Sequence, residues 1–93
     1  MHTEENRKPK IQHKVMIENR HLLTLTGIIR MGSFDEQSAI VYSDYGEIHI
    51  RGENLHISKL SLETNEVDID GEIEAVIYTR TVSEGSFFSK LFR

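Results

Sequence analysis

Residues 45–62, YGEIHIRGENLHISKLSL, decide how this chain folds. Ile48 and Ile50 point to one side, while Glu47, His49 and Arg51 point to the other. This period of two marks a strand with one dry face and one wet face. Gly52 ends the run, Glu53 and Asn54 turn the chain, and Leu55 and Ile57 begin a second alternation. The phase then slips, because Leu60 and Leu62 are even-numbered where Leu55 and Ile57 are odd. An extra residue near Ser58-Lys59, a β-bulge or corner, accounts for the slip.

The same form recurs elsewhere. Leu23–Gly27 (LTLTG), Ile48–Gly52 (IHIRG) and Val67–Gly71 (VDIDG) each read apolar–polar–apolar–polar–glycine. Their spacing is too unequal for a solenoid. The pattern predicts strands that turn corners at glycine, as in a small antiparallel β-roll or sandwich. Strands are expected over 14–17, 22–26, 28–31, 38–43, 47–51, 55–62 and 67–78. In the last, Val67, Ile69, Ile73, Ala75 and Ile77 take one face and Glu66, Asp68, Asp70, Glu72 and Glu74 the other, with a bend at Gly71. Ala39 and Val41 face opposite to Ile40 and Tyr42, so that strand is apolar on both sides and should be central or covered. Residues 32–37 read as a loop with Phe34 plugging the core. Asn19 suits a left-handed turn position, and Gly46 a tight hairpin between 44 and 46.

Ninety-three residues make one domain with a modest core and a thin stability margin. The organisation expected is a flexible N-terminal tail over 1–13, a β domain over 14–80, and a linker with an aromatic docking segment over 81–93. The tail carries Arg7, Lys8 and Lys10 and too little apolar surface to offset the entropy of ordering it. The N-terminus is too polar for a secretory signal, no run is long and apolar enough for a spanning helix, and there is no cysteine. These features predict a cytoplasmic protein. Between Phe34 and Val76 eleven acids face only Arg51 and Lys59, a balance that repels phosphate backbones and argues against nucleic acid.

No nucleophile elbow, phosphate loop or dinucleotide fingerprint occurs, so no enzyme, cofactor or catalytic residue is expected. Same-face carboxylates on a strand stand about 7 Å apart, too far for neighbours alone to hold an ion. A solvated face is the favoured reading of Asp68, Asp70, Glu72 and Glu74. His49 and His56 flank Gly52 and suggest an alternative, a metal- or ligand-sensing module, but no third ligand is evident.

The terminus SFFSKLFR (86–93) is different. As a helix it would gather Phe87, Phe88, Leu91 and Phe92 on one face, and so short a helix must dock to be stable. It could cover the domain's own edge, bind a partner or second copy, or insert shallowly at a membrane surface. The interaction residues expected are therefore Ile40, Tyr42, Phe87, Phe88, Leu91 and Phe92, acting in a homo-oligomer.

From about Lys14 to Arg93 the chain resembles the YabP/YqfC family of sporulation proteins of endospore-forming bacteria, and YabP more than YqfC. The resemblance lies in VMIENR (15–20) leading to LTG (25–27), SFD (33–35), Gly46 through IRGENL (50–55), Leu60, VDIDG (67–71), IY (77–78) and FFSKLFR (87–93). The IRGENL and FFSKLF stretches are its most specific carriers. It implies a non-enzymatic protein of the mother cell, needed for building the spore envelope (cortex and coat), with the multi-span membrane protein YabQ as a neighbour.

Overall fold

The computed structural model describes residues 11–79. Among them are six strands: β1 (Val15–Glu18), β2 (Leu22–Thr26), β3 (Ile28–Phe34), β4 (Ser38–Ser43), β5 (Gly46–Ser61) and β6 (Glu66–Thr79). They form one antiparallel sheet in the order β1-β2-β6-β5-β4-β3. The expected all-β roll with glycine corners is what forms. The strands expected over 47–51 and 55–62 run on as the single long β5.

The long hairpin β5–β6 is the frame. Its near half pairs Glu47–Arg51 with residues 75–79, and its far half pairs His56–Ser61 with residues 66–70. β4 and then β3 extend the near half, and β2 and then β1 extend the far half. The sheet thus has two arms joined at a bend. Leu23, Leu25, Val67 and Ile69 of one arm share a single core with Ala39, Val41, Ile48 and Ile50 of the other. All are essentially inaccessible, and there is no helix among the described residues to cover them. The sheet folds over itself: Ile28, at the start of β3 in one arm, exchanges hydrogen bonds with Asn65, at the β5–β6 tip of the other, so each arm's inner face shelters the other's.

The bend costs sheet hydrogen bonds, and two turns replace them. On β5, the N–H groups of Gly52 and Leu55 donate to the carbonyls of Gln37 and Glu36, in the β3–β4 loop. On β6, those of Gly71 and Ile73 donate to the carbonyls of His21 and Arg20, in the β1–β2 turn. Each corner is thus plugged by the neighbouring hairpin tip, as the need to pair buried backbone groups demands. The β1–β2 turn fits its role because Asn19 and Arg20 both adopt left-handed φ, near +52° and +57°.

Bulges set the phase of every strand that crosses the bend. Ser58 is the extra residue in β5 between Ile57↔Ile69 and Lys59↔Asp68, at the expected position. A second lies between Glu53 and His56. A third was not expected: Glu74 is extra in β6, since Arg51 pairs with Ala75 while Gly52 pairs with Ile73. It overturns the single apolar face read for 67–77. Val67, Ile69 and Ile73 face the core, but beyond Glu74 the inward residues are Val76 and Tyr78, opposite Ile50 and Ile48. Ala75 and Ile77 look outward. The loop expected over 32–37 is also shorter, because β3 continues to Phe34, with two bulges that turn Phe34 against the core.

Candidate interaction surface

The outer face of the near arm holds the two described residues expected to mediate contacts. Ile40 and Tyr42 stand side by side on β4, half-buried, opposite the buried Ala39 and Val41. They pack over Gly32 of β3, where a Cβ would lie 2.9 Å from the Tyr42 ring and 3.2 Å from Cγ2 of Ile40. Arg30 completes the group, its guanidinium 3.8 Å above the centre of the Tyr42 ring, a cation–π contact that holds the ring flat on the sheet.

Across the sheet, Ile40 is level with His49 and then with Ile77, which is 44% exposed. Tyr42 is level with Glu47 and then Thr79. Glu47 is a buried carboxylate and is satisfied locally: His49 Nε2 lies 3.0 Å from Oε1, and the Thr79 hydroxyl donates to the same oxygen at 3.4 Å. The polar clasp of Glu47, His49 and Thr79 therefore runs between the apolar residues of β4 and Ile77 of β6. This arrangement can bind another surface; it offers no activated nucleophile. Phe87, Phe88, Leu91 and Phe92 lie outside the described residues.

His49 and His56 are not brought together. His49 is on the outer face of the near arm, and His56, level with Asp70, is on that of the far arm. The acidic residues also disperse. Glu66 pairs with Lys59 at 2.6 Å, which lowers the Glu66 carboxyl and raises the Lys59 ammonium from their ordinary values through the hydrogen bond and then the charge attraction. Asp70 faces His56, and Glu74 occupies its bulge. Among the described residues no three His, Cys, Asp or Glu side chains converge where they could hold a metal ion.

Other contacts were not legible in the chain. His13, expected in the tail, pairs through Nδ1 with the carbonyl of Thr26 at 2.7 Å and through Nε2 with the Tyr78 hydroxyl. It ties the segment before β1 to both β2 and β6. Burial alone raises the Tyr78 phenol above its ordinary pKa. Arg30 and Ile77 likewise join the outer face only through register, which no local pattern specifies.

The described residues define a small antiparallel β protein. The sequence model of the YabP family matches residues 9–85. The chain is also 31% identical over 85 residues to Spore protein YabP of Bacillus subtilis (strain 168), a match covering 88% of this chain and 85% of that protein. The chain belongs to the YabP family of sporulation proteins.

Proposed function

We propose that this chain is a non-enzymatic assembly module for the spore envelope, cortex and coat, working by self-association or by docking to a partner. It acts in the mother cell at the forespore surface, and a YabQ-like membrane protein is the partner that the family resemblance suggests. The observation that carries the reading is the outward group of Tyr42 and Ile40 on β4 and Ile77 on β6, strands that are already buried on their other side. An apolar and aromatic group of this kind, rimmed by Arg30 and Glu47, has the composition of a protein contact. The segment 87–92 adds a second apolar element to the same role.

The test combines mass and location. Light scattering of the full chain should give an oligomer, and Ile77→Glu or a chain ending at Gly85 should lower the mass while leaving the circular dichroism of the β domain unchanged. In sporulating cells a fluorescent fusion should gather at the forespore, and the same variants should spread through the mother cell. A monomer that reaches the forespore equally well with all of these changes would sink the proposal.

A further inference from the structure

The sheet has two outer strands, β1 and β3, and they are protected very differently. β3 carries two bulges, between Ile28 and Arg30 and between Met31 and Phe34, and contains Gly32. Such irregularity blocks a neighbouring chain from adding a strand. β1, VMIE, pairs with β2 in unbroken register. It has no bulge, proline or inward charge, and Met16 and Ile17 are 52% and 44% exposed.

The hydrogen-bond phase of β1 follows from one bond. The N–H of Thr26 donates to the carbonyl of Lys14 at 3.0 Å, and the N–H of Lys14 donates to the Thr26 hydroxyl at 2.9 Å. Lys14 therefore turns its backbone towards β2, and Met16 and Glu18 do so in step. Val15 and Ile17 turn theirs outward, with no strand partner among the described residues.

We propose that β1 pairs antiparallel with β1 of a second copy, about a two-fold axis through Met16, as an edge contact separate from the outward face of Tyr42, Ile40 and Ile77. The inference rests on the assembly reading above and adds a second contact between copies to it. Three features agree on that one register. Val15 faces Ile17 of the other copy and Ile17 faces its Val15, so the outward backbone groups meet as two hydrogen-bonded pairs. On the inner face, the half-exposed Ile17 gains an apolar neighbour beside Leu23. On the outer face, Lys14 stands opposite Glu18 at both ends, giving two cross-strand ion pairs. Neither Lys14 nor Glu18 ion-pairs with another described residue. KVMIE (14–18) is thus self-complementary in charge when reversed, as a two-fold contact requires. A register shifted by one residue would set outward groups against inward ones, and a shift by two would break both ion pairs.

The absence of cysteine from the chain makes the test direct. Met16→Cys places two thiols on the axis, in a non-hydrogen-bonded pair with Cα atoms about 4.5 Å apart, within disulfide reach. Mild oxidation of the full chain should convert this variant to a covalent dimer, while Leu62→Cys, in the turn just past β5, stays monomeric. Lys14→Glu and Glu18→Lys should each raise the dimer dissociation constant roughly tenfold by turning two attractions into repulsions. The double variant, or a mixture of the two single variants, should restore association. Ile17→Pro removes only an outward N–H and should block the dimer without unpairing β1 from β2. Cross-linking of Met16→Cys no faster than Leu62→Cys, or a dissociation constant indifferent to charge reversal, overturns the β1 edge. If the wild-type chain remains an oligomer in that case, self-association survives on another surface. A wild-type chain that is monomeric throughout refutes the β1 edge and self-association with it, and leaves assembly to partner docking.

Discussion

Gly52 and Glu72 pass each other backbone to backbone at the bend: a Cβ on Gly52 would overlap the carbonyl oxygen of Glu72. In the same strand pair, a Cβ on Gly71 of β6 would lie 2.6 Å from the carbonyl oxygen of Asn54 on β5, and Gly71 has φ +135°. The two glycines let β5 and β6 change direction together, and the turns at 36–37 and 20–21 then cap the N–H groups they expose.

Gly52→Ala should therefore destabilise the fold by about 2–3 kcal/mol, the upper part of the range for overpacking, because neither colliding backbone can rotate away. Gly32→Ala is the control. Its Cβ would lie 2.9 Å from the Tyr42 ring, a side chain that can shift, and 3.0 Å from the Ile40 carbonyl oxygen, a tight contact but not an overlap, so its cost should be nearer about 1 kcal/mol. Urea denaturation of both variants checks the order. Equal midpoints would mean that the bend is not held by backbone contact.

The fold-over predicts a steep contrast between two leucines of the same arm. Leu25 is fully buried between the arms, and Leu60 is 48% exposed on the inner face at the far end of β5. Leu25→Ala should cost about 2–5 kcal/mol, as a cavity in a closed core does, and Leu60→Ala under about 1 kcal/mol. If the sheet were instead open, its two inner faces unmated, the two substitutions would cost nearly the same.

Much of this was legible because alternation reports the face directly. Ile48 and Ile50, Leu23 and Leu25, and Val67 and Ile69 all point inward as their spacing requires. The Ser58 bulge showed itself because the apolar residues change parity across it. The Glu74 bulge left no such mark: Ile73, Ala75 and Ile77 keep one parity, and Val76 and Tyr78 are apolar enough to take the inner face instead. A pattern cannot reveal a phase change when both phases are hydrophobic. Nor could it place Arg30 over Tyr42, tie His13 to Tyr78, or show that β1 is an outer strand, since these depend on strand order across the sheet.

Arg20 binds Ile73 twice, which makes it a clamp on the β6 corner. Its carbonyl accepts the N–H of Ile73 at 2.8 Å and its side-chain Nε donates to the carbonyl of Ile73 at 3.1 Å. Arg20→Ala keeps the first bond and loses the second, and it places alanine at φ near +57°. A loss of about 1.5–3 kcal/mol is expected for the charged hydrogen bond. Arg20→Gly loses the same bond but suits the left-handed turn, so it should be the more stable variant. Thermal melts that rank alanine above glycine would show that the side-chain bond, rather than the turn, was misjudged.

Asp35 closes the β3–β4 loop: its Oδ1 accepts the N–H groups of Gln37 at 2.8 Å and Ser38 at 2.9 Å, and its own N–H donates to the carbonyl of Ser38. The two N–H donors favour the ionised carboxylate and hold its pKa below the ordinary 3.8. A group whose folded pKa is depressed contributes stability above its unfolded pKa and loses it as pH falls through the folded value. Asp35→Ala should therefore lower the urea midpoint at neutral pH. The gap between variant and wild type should begin to narrow near pH 4 and close below the folded pKa, where both loops lack the charge. The loop presents Gln37 and Glu36 carbonyls to Gly52 and Leu55, so its loosening should also speed amide exchange at those two residues. A gap that stays constant down to pH 2 would assign the Asp35 contribution to shape instead of charge.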